Sequence, residues 1–356
     1  MIVPSATNDH IVPRMYLKRF AKLGGREDRI AAALVEKAAE ESFVTSTRNV
    51  GSEKGFYWGV DPDGVPHHDV EELLTRIESD ATPAFRRILD TGTSPRDNAF
   101  PNQWPPDTGT RSSIAWWLAA QTLRTNPQRE RVWRLEGEGL KPGRSLGRAD
   151  LHLAYIVEAL APLAWLIYMR PWGFGFTNLC LFTSDSPVHI VNADDNDDPA
   201  RASTYWDIYV PLDSHRFLFL PGALHRERAR LMRDHFINLP GGLAIALNAL
   251  IIESAHRHLL WHPDHDPRDR SRVADALKMR RSRQGTGGTR SLIQYDALSP
   301  EYGIERRWLE RHTWDHPSEA PPSARDGLTD VEAIDTAEGM MATLERAMND
   351  YKNMQK

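Results

Sequence analysis

The segment with the clearest chemical content is Asp9-His10-Ile11-Val12-Pro13-Arg14-Met15-Tyr16-Leu17-Lys18-Arg19-Phe20. Pro13 suits the first turn of a helix, where its fixed φ is pre-set and its missing N–H would have no partner. His10 then stands on irregular backbone just ahead of the helix. Tyr16, Leu17 and Phe20 recur at helical spacing and would pin that helix to a core. An imidazole held at so rigid a junction suits a general base or a metal ligand. A capping or core-packed histidine is the alternative.

Asp185 and Arg124 complete the candidate catalytic set. Asp185 follows the apolar run Leu181-Phe182-Thr183 and precedes Pro187, so it sits on a tight turn at a strand end. It is read either as a catalytic carboxylate or as the acceptor of an Asx turn. Arg124 ends a tryptophan-rich helix. Its guanidinium suits a two-pronged clamp on a phosphate or carboxylate, or a salt bridge to Asp185 or Glu78. Gln121, Asn248 and Glu78 are polar residues in apolar surroundings, costly to bury unless paired. They are read as substrate-binding, with Asn248 alternatively satisfying a neighbouring backbone group. His10, Arg124 and Asp185 are expected to converge within about one substrate length.

Other clusters carry less chemistry. His256, His258, His262 and His265 gather at what reads as a helix end, where only His258 and His262 would share a face. No glutamate follows the first histidine as in a zincin. Asp194 to Asp198 lacks the glycine and final glutamate of an EF-hand loop. Gly285 to Thr289 lacks the lysine of a phosphate-cradling loop and reads as a linker.

The elements that must position these residues change period along the chain. Ile30 to Val35 and Ser42 to Thr47 read as a hairpin or two edge strands. From Asp69 the residues Val70, Leu73, Leu74, Ile77, Ala81 and Phe85 mark one buried helical stripe. Residues 92–110 read as a long loop. Ile114 to Leu123 and Ala149 to Met169 read as buried helices, the second kinked or restarted near Pro162. Gly175 to Thr183, Val188 to Asn192, Tyr205 to Pro211 and Phe217 to Pro221 read as an antiparallel sheet. Leu243 to Trp261 reads as one long helix. With no βαβ alternation, the fold class is α+β, an antiparallel sheet packed against several long helices around a single main core. The expected divisions are a main domain over 1–312, a linker over 313–330 and a terminal helix over 331–356.

The 356 residues carry a formal net charge of −5, so no global positive field recruits nucleic acid or an anionic membrane. The single cysteine, Cys180, leaves no internal disulfide and points to a reducing, cytoplasmic setting with a buried, inert thiol. No stretch is long and apolar enough to span a bilayer, and no secretion signal opens the chain.

The opening segment also resembles the uncharacterised domain-of-unknown-function family numbered 4238, whose members begin His-x-x-Pro-x-x-Tyr-Leu-x-x-Phe. Further matches follow in order: Gly55-Phe56-Tyr57, Glu71 with Glu78, Gln121-Thr122-Leu123-Arg124-Thr125, Thr183-Ser184-Asp185-Ser186-Pro187-Val188, Pro211-Leu212 and Asn248. Together they cover about residues 8 to 260. One departure is Arg124-Thr125-Asn126-Pro127, where the family tends to place proline directly after the threonine. The resemblance supports the fold but implies no reaction. Two functions therefore stay open. One is a hydrolase acting on a phosphoester or nucleic acid in a defence or toxin role, with a divalent metal admitted as cofactor; Asp9 to Pro13 is similar to the first histidine strand of His-Asn-His nucleases, and His67 and His68 are the nearest candidates for the second half. The other is a non-catalytic ligand- or partner-binding sensor, in which the basic stretch Arg268 to Arg283 engages a partner.

Overall fold

The apolar stripe that begins at Asp69 is one face of a helix, and every residue of it is buried. A computed structural model of the protein describes residues 8–24, 27–60, 66–90, 101–137, 148–192, 206–221, 234–238 and 241–283. In chain order the elements are β1 (Asn8–His10), α1 (Arg14–Leu17), β2 (Arg29–Leu34), β3 (Phe43–Ser46), β4 (Ser52–Lys54), β5 (Gly59–Val60) and β6 (Pro66–His67). Four helices follow: α2 (Asp69–Leu89), α3 (Thr108–Leu123), α4 (Asn126–Gly137) and α5 (Arg148–Tyr168). Then come β7 (Gly173–Phe176), β8 (Thr183–Ser184), β9 (His189–Asn192), β10 (Trp206–Pro211), β11 (Arg216–Leu220) and β12 (His235–Asn238). The described chain closes with α6 (Gly241–Ser254), β13 (His258–Trp261) and α7 (Ser271–Arg283). The fold is α+β. The expected linker and terminal helix, the Gly285 loop and the Asp194–Asp198 tip lie outside the described residues.

Helix α3 is the centre of the helical layer and packs on both α2 and α5. It is buried on nearly every side, and two of its hydroxyls bond back to its own carbonyls, Ser113 to Gly109 and Thr122 to Leu118. It starts six residues earlier than its apolar run predicts. The cause is Asp107, whose carboxylate accepts from the Thr110 backbone N–H at 2.8 Å and caps the helix from inside the polar stretch. Helix α4 was not anticipated. Pro127, noted above as a departure from the family pattern, sits in its first turn, where it needs no donor.

The strands form two main sheets. One has the order β12-β7-β11-β10-β9, antiparallel except for β12, which runs parallel to β7. The other has the order β3-β2-β13-β8. The β2–β3 hairpin is thus part of a larger sheet. Thr183, expected in the first sheet, belongs to the second. In the first sheet Gly175 lies opposite Phe217, and a Cβ at Gly175 would run into the Phe217 ring. Only glycine lets that ring cross the β7 backbone.

The reading of Leu243 to Trp261 as one helix is corrected by the structure. α6 stops at Ser254, and His258–Trp261 is a strand between β2 and β8. A run of four residues fits either period, so spacing cannot place it. Two side chains enforce the break. The guanidinium of Arg280 donates to the Glu253 and Ala255 carbonyls at 2.6 and 2.8 Å, and the Asp185 carboxylate collects the next backbone N–H groups.

The main core joins α2, α3 and α5 to β7, β10 and β11, and a second, smaller cluster gathers around α6, β13 and α7. Tyr16 connects the layers: its buried hydroxyl lies 2.7 Å from Thr183 Oγ1 and donates to the Pro211 carbonyl at 2.7 Å. Among the described residues no single helix is long and apolar enough to cross a membrane.

Candidate functional site

The backbone around His10 is fixed before any side chain acts. β1 pairs with β4, with His10 opposite Ser52. The Ile11 and Val12 N–H groups both donate to the Gly51 carbonyl, at 2.8 and 3.0 Å. Gly51 has φ +67°, and a Cβ there would press on Val12, so the turn is built for glycine. Pro13 takes the position just before α1, and its carbonyl accepts from Tyr16 and Leu17. Asp9 is buried and accepts from the Tyr57 backbone N–H at 3.0 Å. The Tyr57 hydroxyl reaches the His10 carbonyl at 3.4 Å.

Against this junction the helices bring an ion pair. Arg124 sits at the C-cap of α3 and donates from Nη1 to Glu78 Oε1 of α2 at 2.6 Å. With its side-chain oxygen turned toward Arg124, the buried Gln121 amide accepts from the same guanidinium. Tyr57 is a third partner of Arg124, and burial holds its hydroxyl well above the usual phenol range. The α3 end is itself held, because the buried His152 ring bonds through Nε2 to the Leu123 carbonyl at 3.1 Å.

His10 faces this cluster with Nε2 buried and without a hydrogen-bond partner. Burial lowers its pKa, Arg14 and Arg124 lower it further, and Glu78 and Asp9 oppose them. The ring is therefore neutral at pH 7, with a lone pair to offer. Arg14 Nε is likewise buried without a partner. Glu71, two turns before Glu78 on α2, has its pKa raised by burial first and then by Asp9.

The structure thus gathers His10, Arg124, Glu78 and Gln121, and adds Arg14 and Tyr57. No hydrogen bond or ion pair joins Asp185 to His10 or Arg124. Asp185 instead accepts the backbone N–H groups of His256, Arg257 and His258 at 3.0, 2.7 and 3.0 Å. Arg124 chose Glu78 of its two expected partners. Asn248 is spent on backbone as well: Oδ1 accepts from Phe182 N and Nδ2 donates to the Cys180 carbonyl, both at 2.9 Å. Arg14 was legible as the residue four after His10, and Tyr57 as the last of the Gly55-Phe56-Tyr57 match. His152 gave no signal, being one polar residue in an apolar helix.

Among the described residues no group of three or more His, Cys, Asp or Glu side chains is arranged to hold a metal ion. His258 and His262 share no helix, since His258 lies in β13. His262 and His265 have ring centroids 5.1 Å apart, and His215 lies 6.0 Å from His265. His67 and His68 turn to Asp69 and Glu71 at 3.6 and 3.7 Å, not to His10. The basic stretch is partly structural too: Arg268 stacks on Trp261 and grips Asp266, and Arg280 caps α6.

Fold and site define an α+β protein with a buried histidine–arginine–carboxylate cluster in its N-terminal part. Over residues 8–142 the chain matches the family model described as "Protein of unknown function (DUF4238)" and resembles that family there. The span carries His10, Arg14, Tyr57, Glu78, Gln121 and Arg124, and stops short of Asp185 and Asn248. No curated protein and no solved structure matches the chain.

Proposed function

We propose that the protein is a hydrolase of phosphoesters, in small molecules or nucleic acid, with His10 as its general base and a defence or toxin role. The observation that carries this reading is the buried, unpartnered Nε2 of His10, on a ring whose pKa is lowered by burial and by the charges of Arg14 and Arg124. In this reading Nε2 takes a proton from water as the water oxygen bonds to phosphorus, and returns it to the alkoxide released when the P–O ester bond breaks. Arg14 and Arg124 offset the charge on the phosphoryl oxygens. The setting is cytoplasmic, in keeping with a lone Cys180 whose thiol burial pushes up to about 12.

The test is hydrolysis of bis(p-nitrophenyl) phosphate and of labelled oligonucleotides, with and without added divalent metal. His10→Gln is expected to lower turnover by a factor on the order of 10² to 10⁴ with little change in melting temperature. Turnover equal to wild type would overturn the assignment of His10.

A second reading, a non-catalytic ligand sensor, is favoured by the burial of Arg124, whose side chain is 1% exposed and bound to Glu78. Ligand-induced stabilisation without turnover of any ester in the panel would select it.

A further inference from the structure

The Arg124–Glu78 pair is lopsided. The guanidinium is 1% exposed, while the carboxylate side chain is 28% exposed. Gln121 and Tyr57 hold the arginine from within the protein, so its place does not depend on Glu78 alone. Among the described residues Glu78 is the charged side chain paired with Arg124, and it is the partner that solvent reaches. Nearby, Arg14 Nε is buried and unpartnered, and both arginines lie close enough to act on the His10 ring. Asp9 and Glu71 also carry charge close by, but the carboxylate that meets Arg124 is that of Glu78.

We propose that Glu78 is a displaceable stand-in for the phosphoryl group of the substrate. Its carboxylate occupies the Nη1 donor of Arg124 in the free protein, and an incoming phosphate takes its place. Either anion can accept from that Nη1 group, because a guanidinium donates to carboxylate and phosphate oxygens alike. A phosphate carries more negative charge than the carboxylate, so exchange also gains from the field of Arg14. Glu78 can make way because its side chain already borders water. The arrangement selects for charge: a neutral ligand leaves Glu78 in place. This rests on the phosphoester reading of the same site and names how that site tells an anion from other ligands.

The test is binding of inorganic phosphate at pH 7.5 and fixed ionic strength, by calorimetry and by melting temperature, with chloride as the control anion. Glu78→Gln is expected to bind phosphate at least tenfold more tightly than wild type. Its melt, lowered without phosphate because Arg124 loses its counter-ion, should recover further with phosphate than the wild-type melt moves. Adding Arg124→Met should abolish the gain. Phosphate affinity no better than wild type, or a gain that survives loss of Arg124, would overturn the proposal. Should Glu78→Gln fail to fold, Glu78→Asp loosens the same pair and should show a smaller gain of the same sign; no gain there overturns it equally. The readout needs no turnover. A Glu78-dependent gain without hydrolysis would defeat only the hydrolase, and His10-dependent hydrolysis without that gain would defeat only this proposal.

Discussion

Acidification from pH 7.5 to 5 should strip the protein of a large part of its stability through two buried histidines. His189 is fully buried with its Nδ1 2.5 Å from Ser254 Oγ, and burial lowers its pKa to about 3. His152 is lowered by burial to about 4, against the pull of its bond to the Leu123 carbonyl. Both folded values lie below the unfolded value of 6.5, so folding favours the neutral rings. Nothing is lost above pH 6.5. Below it the unfolded chain takes up protons first, and each ring costs about 1.4 kcal/mol of stability per pH unit until its folded pKa is reached. At pH 5 the two together cost about 4 kcal/mol, against a typical total of roughly 5–15 kcal/mol. His10, His215, His258 and His262 are lowered by burial and add in the same direction. Urea unfolding at pH 7.5, 6.5, 5.5 and 5.0 measures the slope. His189→Asn, whose amide can still reach Ser254, should be less stable at pH 7.5 but flatter with pH by about 1.4 kcal/mol per unit. An unchanged slope in that variant would refute the argument.

Two further outcomes are expected. Gly175→Ala should lower stability by about 1–3 kcal/mol, because the new methyl meets the Phe217 ring; a melt equal to wild type would show that the strands can part there. Asp185→Asn should cost roughly 1–3 kcal/mol, since an amide nitrogen would face N–H groups that the carboxylate now receives; an unchanged thermal melt would show the turn to be dispensable.

What the sequence made legible follows from how each element is solvated. α2 was readable because one face is wet and one dry, so its apolar residues recur every three or four positions. α3 and α6 are buried more evenly, and their ends had to come from Asp107 and from Arg280, neither of which spacing reveals. β13 was hidden because His258 to Trp261 is too short to show a period. In the site, His10 stood out through the rigid Pro13 turn, and Arg124, Gln121 and Glu78 through polarity amid apolar neighbours. The choice of partners was not legible. Arg124 reached back 46 positions to Glu78, while Asp185 turned to backbone 71 to 73 positions ahead. Both pairings depend on how helices and sheets stack, which local pattern does not encode.

The reach of Tyr16 bears on when the protein acquires its site during synthesis. Its hydroxyl closes on a carbonyl 195 positions later. His10 leaves the ribosome long before Pro211, and until β10 has paired the Tyr16 hydroxyl lacks that carbonyl, although its ring already packs on Phe20 and Trp117. Contacts so distant in sequence form late. A chain that stops before Pro211 therefore presents His10 and Arg124 with this tie between the layers unmade.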